Sequence, residues 1–187
     1  MTRRFHVAST PFQGLTVVER QRILDDRGYL ERLYCAAELE QFGVDKPIRQ
    51  ITHTLTHKTG TVRGIHFRHP PMDELKIVTC LKGRVFDVTV DLRHASPTFL
   101  NWHAEELSEE NGRLLIIPEG FAHAFQALEP DCEILYLHTV DYSPEHEDGI
   151  NATDPRLAIP WPEPIADRSE KDTAFRPIAP NFEGLRT

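Results

Sequence analysis

The stretch Leu75–Leu92, LKIVTCLKGRVFDVTVDL, holds the clearest periodicity in the chain. From Arg84 onward, Phe86, Val88, Val90 and Leu92 fall on one side of an extended backbone, and Val85, Asp87, Thr89 and Asp91 on the other. Successive side chains of a strand point to opposite faces, so this is a strand with one strongly apolar face. Leu75–Cys80 is the strand before it, and the link Leu81-Lys82-Gly83 has hairpin length and the glycine that a tight turn favours. Arg113–Ile117, Ala122–Leu128 and Glu133–Val140 are further strands, the first two joined by a turn at Pro118-Glu119-Gly120. Many short strands separated by turn signals predict an all-β sandwich or barrel. Helix signals are few. Tyr34–Phe42 (YCAAELEQF) has good helix formers and a stop at Gly43. The tail from Pro155 to Pro180 carries six prolines, which predicts an extended wrap with one short helix over Ser169–Ala174.

The 187 residues suit a single domain, with a barrel core over about 45–145 and a C-terminal arm over about 150–187. Acidic residues exceed basic ones by 29 to 21, a net charge of −8. General nucleic-acid binding needs the opposite excess, to displace counterions, and is not expected. No apolar run approaches the roughly 18 residues of a membrane-spanning helix. The segment Met1–Leu15 holds Arg3, Arg4 and His6 without a long apolar stretch, so no secretory signal is expected. Cys35, Cys80 and Cys132 lie far apart with no CxxC; they fit reduced thiols of a cytoplasmic protein, acting as small hydrophobes. The oddity is ten histidines in an acidic chain.

Two clusters hold histidines at informative spacing. One is Arg63-Gly64-Ile65-His66-Phe67-Arg68-His69, followed by Glu74 and Lys76; the other is Gly112-x5-Pro118-x-Gly120-x2-His123. Together they approximate the two half-motifs of cupin barrels. In a metal-binding cupin, HxH on a strand turns two imidazoles into the barrel. Here the second position is Arg68, a fixed cation that repels a divalent metal, and His69 sits at an odd offset from His66. The metal reading weakens, although His66, Glu74 and His123 remain a conceivable three-ligand set.

The ordered set RGIH (63–66), VFDVTVDLR (85–93), IPEGFAHAF (117–125), YSPEHE (142–147) and SEKD (169–172) resembles the dTDP-4-dehydrorhamnose 3,5-epimerase family. The likeness runs from about Asp26 to Asp172. It implies a cupin-type jelly-roll barrel with short helical or extended terminal segments, usually a homodimer, with no metal and no cofactor. The implied substrate is a nucleotide-diphosphate 4-keto-6-deoxy sugar, inverted at C3, C5 or both in deoxysugar biosynthesis of the rhamnose type. Inverting a centre beside a ketone needs a base on one face, an acid on the other, and a donor or cation for the enolate oxygen. Histidine is the side chain whose ordinary pKa suits the base, oriented by a carboxylate on its other nitrogen.

Carried over onto this sequence, the resemblance makes His66 the base, Asp172 its carboxylate, Tyr136 the proton donor and Lys76 the cation near the ketone. It also makes Arg27 a diphosphate contact and Glu31 a base contact, commonly across the dimer, with Gln50, Arg63, His123 and Tyr142 as further substrate contacts. Taken singly, these residues have plainer explanations: His66 a hydrogen-bonded core histidine, Tyr136 a core aromatic, Arg27 and Glu31 an i,i+4 ion pair. The ordered set favours the functional ones. His53, His57, His69, His94, His103, His138 and His146 are expected to be surface or structural. The chain departs from the family pattern at Thr52, where an Asn is usual, at Arg68, where a Gln is usual, and at Leu137, where a Lys is usual. Three rival functions share the barrel: a 3,4-ketoisomerase on the same kind of substrate, a metal-dependent cupin enzyme, and a non-catalytic sugar-nucleotide binder. The Tyr136 match opposes the first, because facial inversion needs a donor opposite the base.

Overall fold

The computed structural model describes residues 4–187; Arg3, read above with Arg4 and His6, lies outside them. The strands are β1 (Phe5–Ser9), β2 (Thr16–Arg20), β3 (Ile23–Asp25), β4 (Gly28–Leu30), β5 (Gln50–Thr56), β6 (Val62–Arg68), β7 (Lys76–Lys82), β8 (Arg84–Asp91), β9 (Trp102–Ser108), β10 (Arg113–Ile117), β11 (Phe121–Ala127), β12 (Cys132–His138) and β13 (Glu147–Gly149). The helices are short: α1 (Ala36–Leu39) and α2 (Glu170–Ala174), with 3-10 turns at Glu40–Phe42 and Pro144–His146. One sheet has the order β1-β2-β10-β7-β12-β5, the facing sheet β13-β6-β11-β8-β9, and β3-β4 forms a separate hairpin. All strand pairings are antiparallel. This is the expected all-β jelly-roll architecture.

The link at Leu81-Lys82-Gly83 is not a hairpin. β7 pairs with β10 and β12, whereas β8 pairs with β11 and β9, so the chain crosses from one sheet to the other at Gly83. Gly83 has φ +75°, and a Cβ there would lie 2.9 Å from the Cys132 sulfur. A length of three residues cannot distinguish a hairpin from a corner, because both require the same tight reversal. The turn at Pro118-Glu119-Gly120 makes a second such corner, from β10 to β11. From β5 to β8, and again from β9 to β13, consecutive strands therefore contribute to opposite walls, and residues close in sequence face each other across the interior.

The apolar face of β8 also points away from the interior. Val88, Val90 and Leu92 pack with Ile65, Ala122 and Ala124 against Leu157, Ile178 and Leu185 of the C-terminal arm. The arm is the predicted extended wrap, and its apolar side chains cover the outer face of the sheet. The other face of β8 looks inward, placing Val85 in the inter-sheet core and Asp87 against His123. Between the sheets the apolar filling comes from residues such as Val17, Val78, Leu107, Leu115, Ile117 and Phe125. It is richest where β2 and β10 face β8 and β9. The opposite half, between β7-β12-β5 and β6-β11, is lined by polar side chains. That division leaves a cavity on one side of the sandwich.

Tyr34–Phe42 forms α1 and the 3-10 turn, ended by Gly43 at φ +89° with its N–H on the Glu40 carbonyl at 3.0 Å. Leu39 plugs the outer face of the six-stranded sheet with Ile77, Leu114 and Leu137. All three cysteines are free; Cys80 and Cys132 are buried, and burial pushes the Cys80 thiol up to about 12, which keeps it protonated and unreactive.

Candidate active site

The cavity between the two sheets has a volume of about 560 Å³ and is closed on one side by the arm around Ser169–Asp172. Its walls bring together His66 from β6, Lys76 from β7, His123 from β11, Tyr136 from β12 and Asp172 from α2. These residues span more than a hundred positions of sequence and meet only because the corners send successive strands to opposite sheets.

His66 Nε2 lies 2.6 Å from Asp172 Oδ1. Asp172 is held in turn. Its backbone N–H donates to Ser169 Oγ at 3.0 Å, the N-cap of α2, and its second oxygen accepts from the Gly64 N–H at 3.2 Å. Burial alone would raise the Asp172 pKa, but the hydrogen bond and charge of His66 and the Gly64 N–H outweigh it, and the net shift is downward. The carboxylate is therefore ionised and fixes the ring by accepting the Nε2 hydrogen. The other ring nitrogen, Nδ1, is left to act on a substrate. The His66 side chain is 38% exposed, against 4% for Asp172, so the imidazole is open to the cavity while the carboxylate is nearly covered. Phe175 packs edge-on against the imidazole with centroids 5.8 Å apart.

The Gly in RGIH has a specific steric role. Gly64 has φ +118°, and a Cβ there would lie 2.7 Å from both the His123 carbonyl oxygen and the Ala124 Cβ of β11. Only glycine lets β6 approach β11 this closely, with its N–H turned to Asp172.

Across the cavity, Tyr136 stands on the opposite sheet from His66. Burial pushes its hydroxyl pKa up, so it is a protonated donor at neutral pH. Its ring meets His123 edge-on at 6.2 Å and stacks on His138 at 6.0 Å. His123 is buried, with Nε2 2.8 Å from Asp87 Oδ2, and burial lowers its pKa, leaving a neutral ring. Lys76 sits 3.3 Å from Glu74, which also faces Arg68 at 3.4 Å and His138 Nδ1 at 2.9 Å. Burial would raise the Glu74 pKa, but Lys76, His138 and Arg68 together pull it down to about 2.

That shift gives a stability prediction with a definite sign. The folded value, about 2, lies below the ordinary 4.5, so ionised Glu74 stabilises the fold above pH 4.5 and loses that contribution as pH falls towards 2. Glu74→Gln should be less stable than the parent at neutral pH, and the gap should narrow through this window. Urea denaturation at a series of pH values reads it; a gap independent of pH refutes the electrostatic origin.

Gln50, Arg63 and Tyr142 also line the cavity. Arg63 Nε donates to Thr56 Oγ1 at 3.0 Å and Tyr142 is 60% exposed at the mouth. Arg27 and Glu31 are not in it. They belong to the region of the β3-β4 hairpin, where Arg27 pairs with Asp25 and Glu31 with Arg20 and Arg22. The i,i+4 ion pair between Arg27 and Glu31 does not form, because β3-β4 is a hairpin rather than a helix. The expectation for His138 is corrected: it lines the cavity, two residues from Tyr136 on the same face of β12. Asp87 is a second residue the sequence reading passed over; it lies on the inward face of β8. Glu74 appeared there only as a conceivable metal ligand. His66, Glu74 and His123 do not converge as a ligand set. Each has its own partner, and among the described residues no three His, Cys, Asp or Glu side chains group as a metal site.

The family model for dTDP-4-dehydrorhamnose 3,5-epimerase matches residues 9–179. The chain belongs to the dTDP-4-dehydrorhamnose 3,5-epimerase family. A family member from Sinorhizobium fredii is 39% identical over 169 residues, 87% of each chain. A Methanothermobacter thermautotrophicus member is 36% identical over 181 residues, 95% of this chain and 96% of its own. The structure of a Legionella pneumophila dTDP-6-deoxy-D-glucose-3,5-epimerase, in complex with dTDP-4-keto-L-rhamnose, superposes with a TM-score of 0.91 at 34% identity and covers 98% of both chains. Membership makes the chain an isomerase of the epimerase type. It disfavours the ketoisomerase and metal-cupin rivals. Among the described residues no helix is long and apolar enough to cross a membrane.

Proposed function

We propose that this chain epimerises dTDP-4-keto-6-deoxyglucose at C3 and C5 towards dTDP-4-keto-rhamnose, with His66 as base, Tyr136 as acid and Lys76 beside the ketone. The observation that carries the reading is the 2.6 Å His66–Asp172 pair facing Tyr136 across the cavity. His66 removes the proton on the carbon next to the ketone. The electron pair moves into an enolate, whose developing oxygen charge Lys76 offsets. Tyr136 then delivers a proton to the opposite face of the carbon, and the ketone re-forms. The double inversion repeats this at the second carbon flanking C4. Arg63, Gln50, His123 and Tyr142 bind the nucleotide-diphosphate portion and fix the sugar. Arginine suits the diphosphate because its planar fork donates two hydrogen bonds at once.

The same reading takes the protein to be a cytoplasmic homodimer in which Arg27 and Glu31 complete the site of the partner. It is supported by the exposure of Leu24, Tyr29 and Leu30 on the β3-β4 hairpin, at 75%, 50% and 63%, an apolar edge that a second copy would cover. Incubation with dTDP-4-keto-6-deoxyglucose in D₂O, followed by NMR, tests the function. Deuterium should enter at both C3 and C5 with the C4 ketone retained; no exchange at either carbon sinks the reading, and a moved carbonyl replaces it with ketoisomerisation.

A further inference from the structure

The cavity holds a histidine that the proposed chemistry does not use. His138 Nδ1 is 2.9 Å from Glu74, and its ring stacks on Tyr136 with an interplanar angle of 20°. It pairs in register with Lys76 on β7 and with Gln50 on β5, so it lies beside the residues assigned to the sugar and to the mouth of the cavity. Glu74 is held ionised by its cationic neighbours, and a carboxylate only accepts hydrogen bonds. That partner selects the tautomer with its hydrogen on Nδ1, the form in which Nε2 carries the lone pair. Nε2 has no hydrogen-bond partner among the described residues, and the side chain, 13% exposed, keeps an opening to the cavity.

We infer that His138 Nε2 accepts a hydrogen bond from a ring hydroxyl of the bound sugar and thereby determines which sugars this site takes. The inference rests on the nucleotide-sugar reading above. The chemistry of the acceptor selects the partner. The ketone and phosphate oxygens of such a substrate only accept, whereas its sugar hydroxyls at C2 and C3 donate. The neighbouring Lys76 and Arg68 carry donors only, so His138 Nε2 sets an acceptor beside two cations on the cavity wall. A buried acceptor left unpaired by a deoxy sugar is a source of discrimination.

Two substitutions separate the Nε2 contact from the support of Glu74. His138→Asn keeps a donor near the Nδ1 position and removes Nε2; His138→Gln keeps a polar atom near the Nε2 position. On dTDP-4-keto-6-deoxyglucose, H138N should lose about 3- to 10-fold in kcat/KM and H138Q should regain most of it. Against the analogues lacking the C2 or the C3 hydroxyl, the parent-to-H138N ratio should fall to near one for one of them. An equal loss on all three substrates, or no loss, overturns the inference. If H138N does not fold, ¹⁵N NMR of the parent decides: unreactive dTDP-glucose should shift the His138 Nε2 resonance while dTDP alone leaves it unmoved, and an unmoved resonance with both overturns it. Failure of the epimerase reading itself is distinct, because the parent would then exchange no deuterium on any of the three substrates.

Discussion

His66→Ala should slow deuterium incorporation and product formation by about 10²- to 10⁴-fold, the range for removing a positioned general base. The fold should survive. His66 is partly exposed, and its strand is held on both sides by β11 and β13 through backbone pairing that the side chain does not enter. What the substitution leaves behind is Asp172, a buried carboxylate without its imidazole but still accepting from the Gly64 N–H. Some loss of stability is thus expected, because an ionised group keeps its burial and loses its strongest partner. A thermal melt separates the two effects. A folded variant with near-parental exchange removes His66 from the mechanism, whatever its stability.

The strands were readable in sequence where a polar–apolar alternation exists. Arg113–Ile117 forms as expected, and Arg84–Leu92, Ala122–Leu128 and Glu133–Val140 differ from β8, β11 and β12 by a residue or two at their ends. The strands β1 to β5, β9 and β13 went unread, since their sequences, such as FHVAS, alternate weakly in hydrophobicity or are only three residues long. Sheet membership was not legible at all. It depends on whether Gly83 and Gly120 turn a hairpin or a corner, and that is decided by what packs on the strands rather than by the turn. The direction of the apolar face of β8 has the same cause. Periodicity gives two faces, but only the arm, sixty or more residues later, makes the apolar one the outer face.

Much of the site was legible because the signal was a set of motifs in order rather than any one residue. His66, Lys76, His123, Tyr136 and Asp172 come together in one cavity, and Gln50, Arg63 and Tyr142 join them. Arg27 and Glu31 do not, because a single chain carries them on the far hairpin. His138 carried a signal that alternation alone provides: it is two residues from Tyr136 on a strand, hence on the same face. The net charge of −8 and a diphosphate substrate agree because cations are gathered locally, with Arg63, Arg68, Lys76 and Arg168 all on the cavity wall.

Tyr136→Phe should separate exchange from inversion. The substitution removes one hydroxyl and keeps the ring, which packs against the inter-sheet core and stacks on His138, so the cavity should hold its shape. His66 on the opposite sheet can still remove the proton, and Lys76 can still face the enolate oxygen. What is missing is an acid on the far side of the carbon. The enolate can then be quenched only by the group that formed it, from the same face, which restores the starting configuration. Because the His66 side chain is 38% exposed, its proton exchanges with D₂O during the lifetime of the enolate. The recovered substrate should therefore carry deuterium, while formation of inverted product falls by about 10²- to 10⁴-fold. Burial keeps the parental Tyr136 protonated, so the parent should show the reverse balance, inverted product with little deuterium in unconverted substrate. NMR of substrate and product from one reaction in D₂O reads both quantities. Parallel loss of exchange and inversion would assign Tyr136 to proton removal as well, and retained inversion would move the acid role to another donor on the same wall.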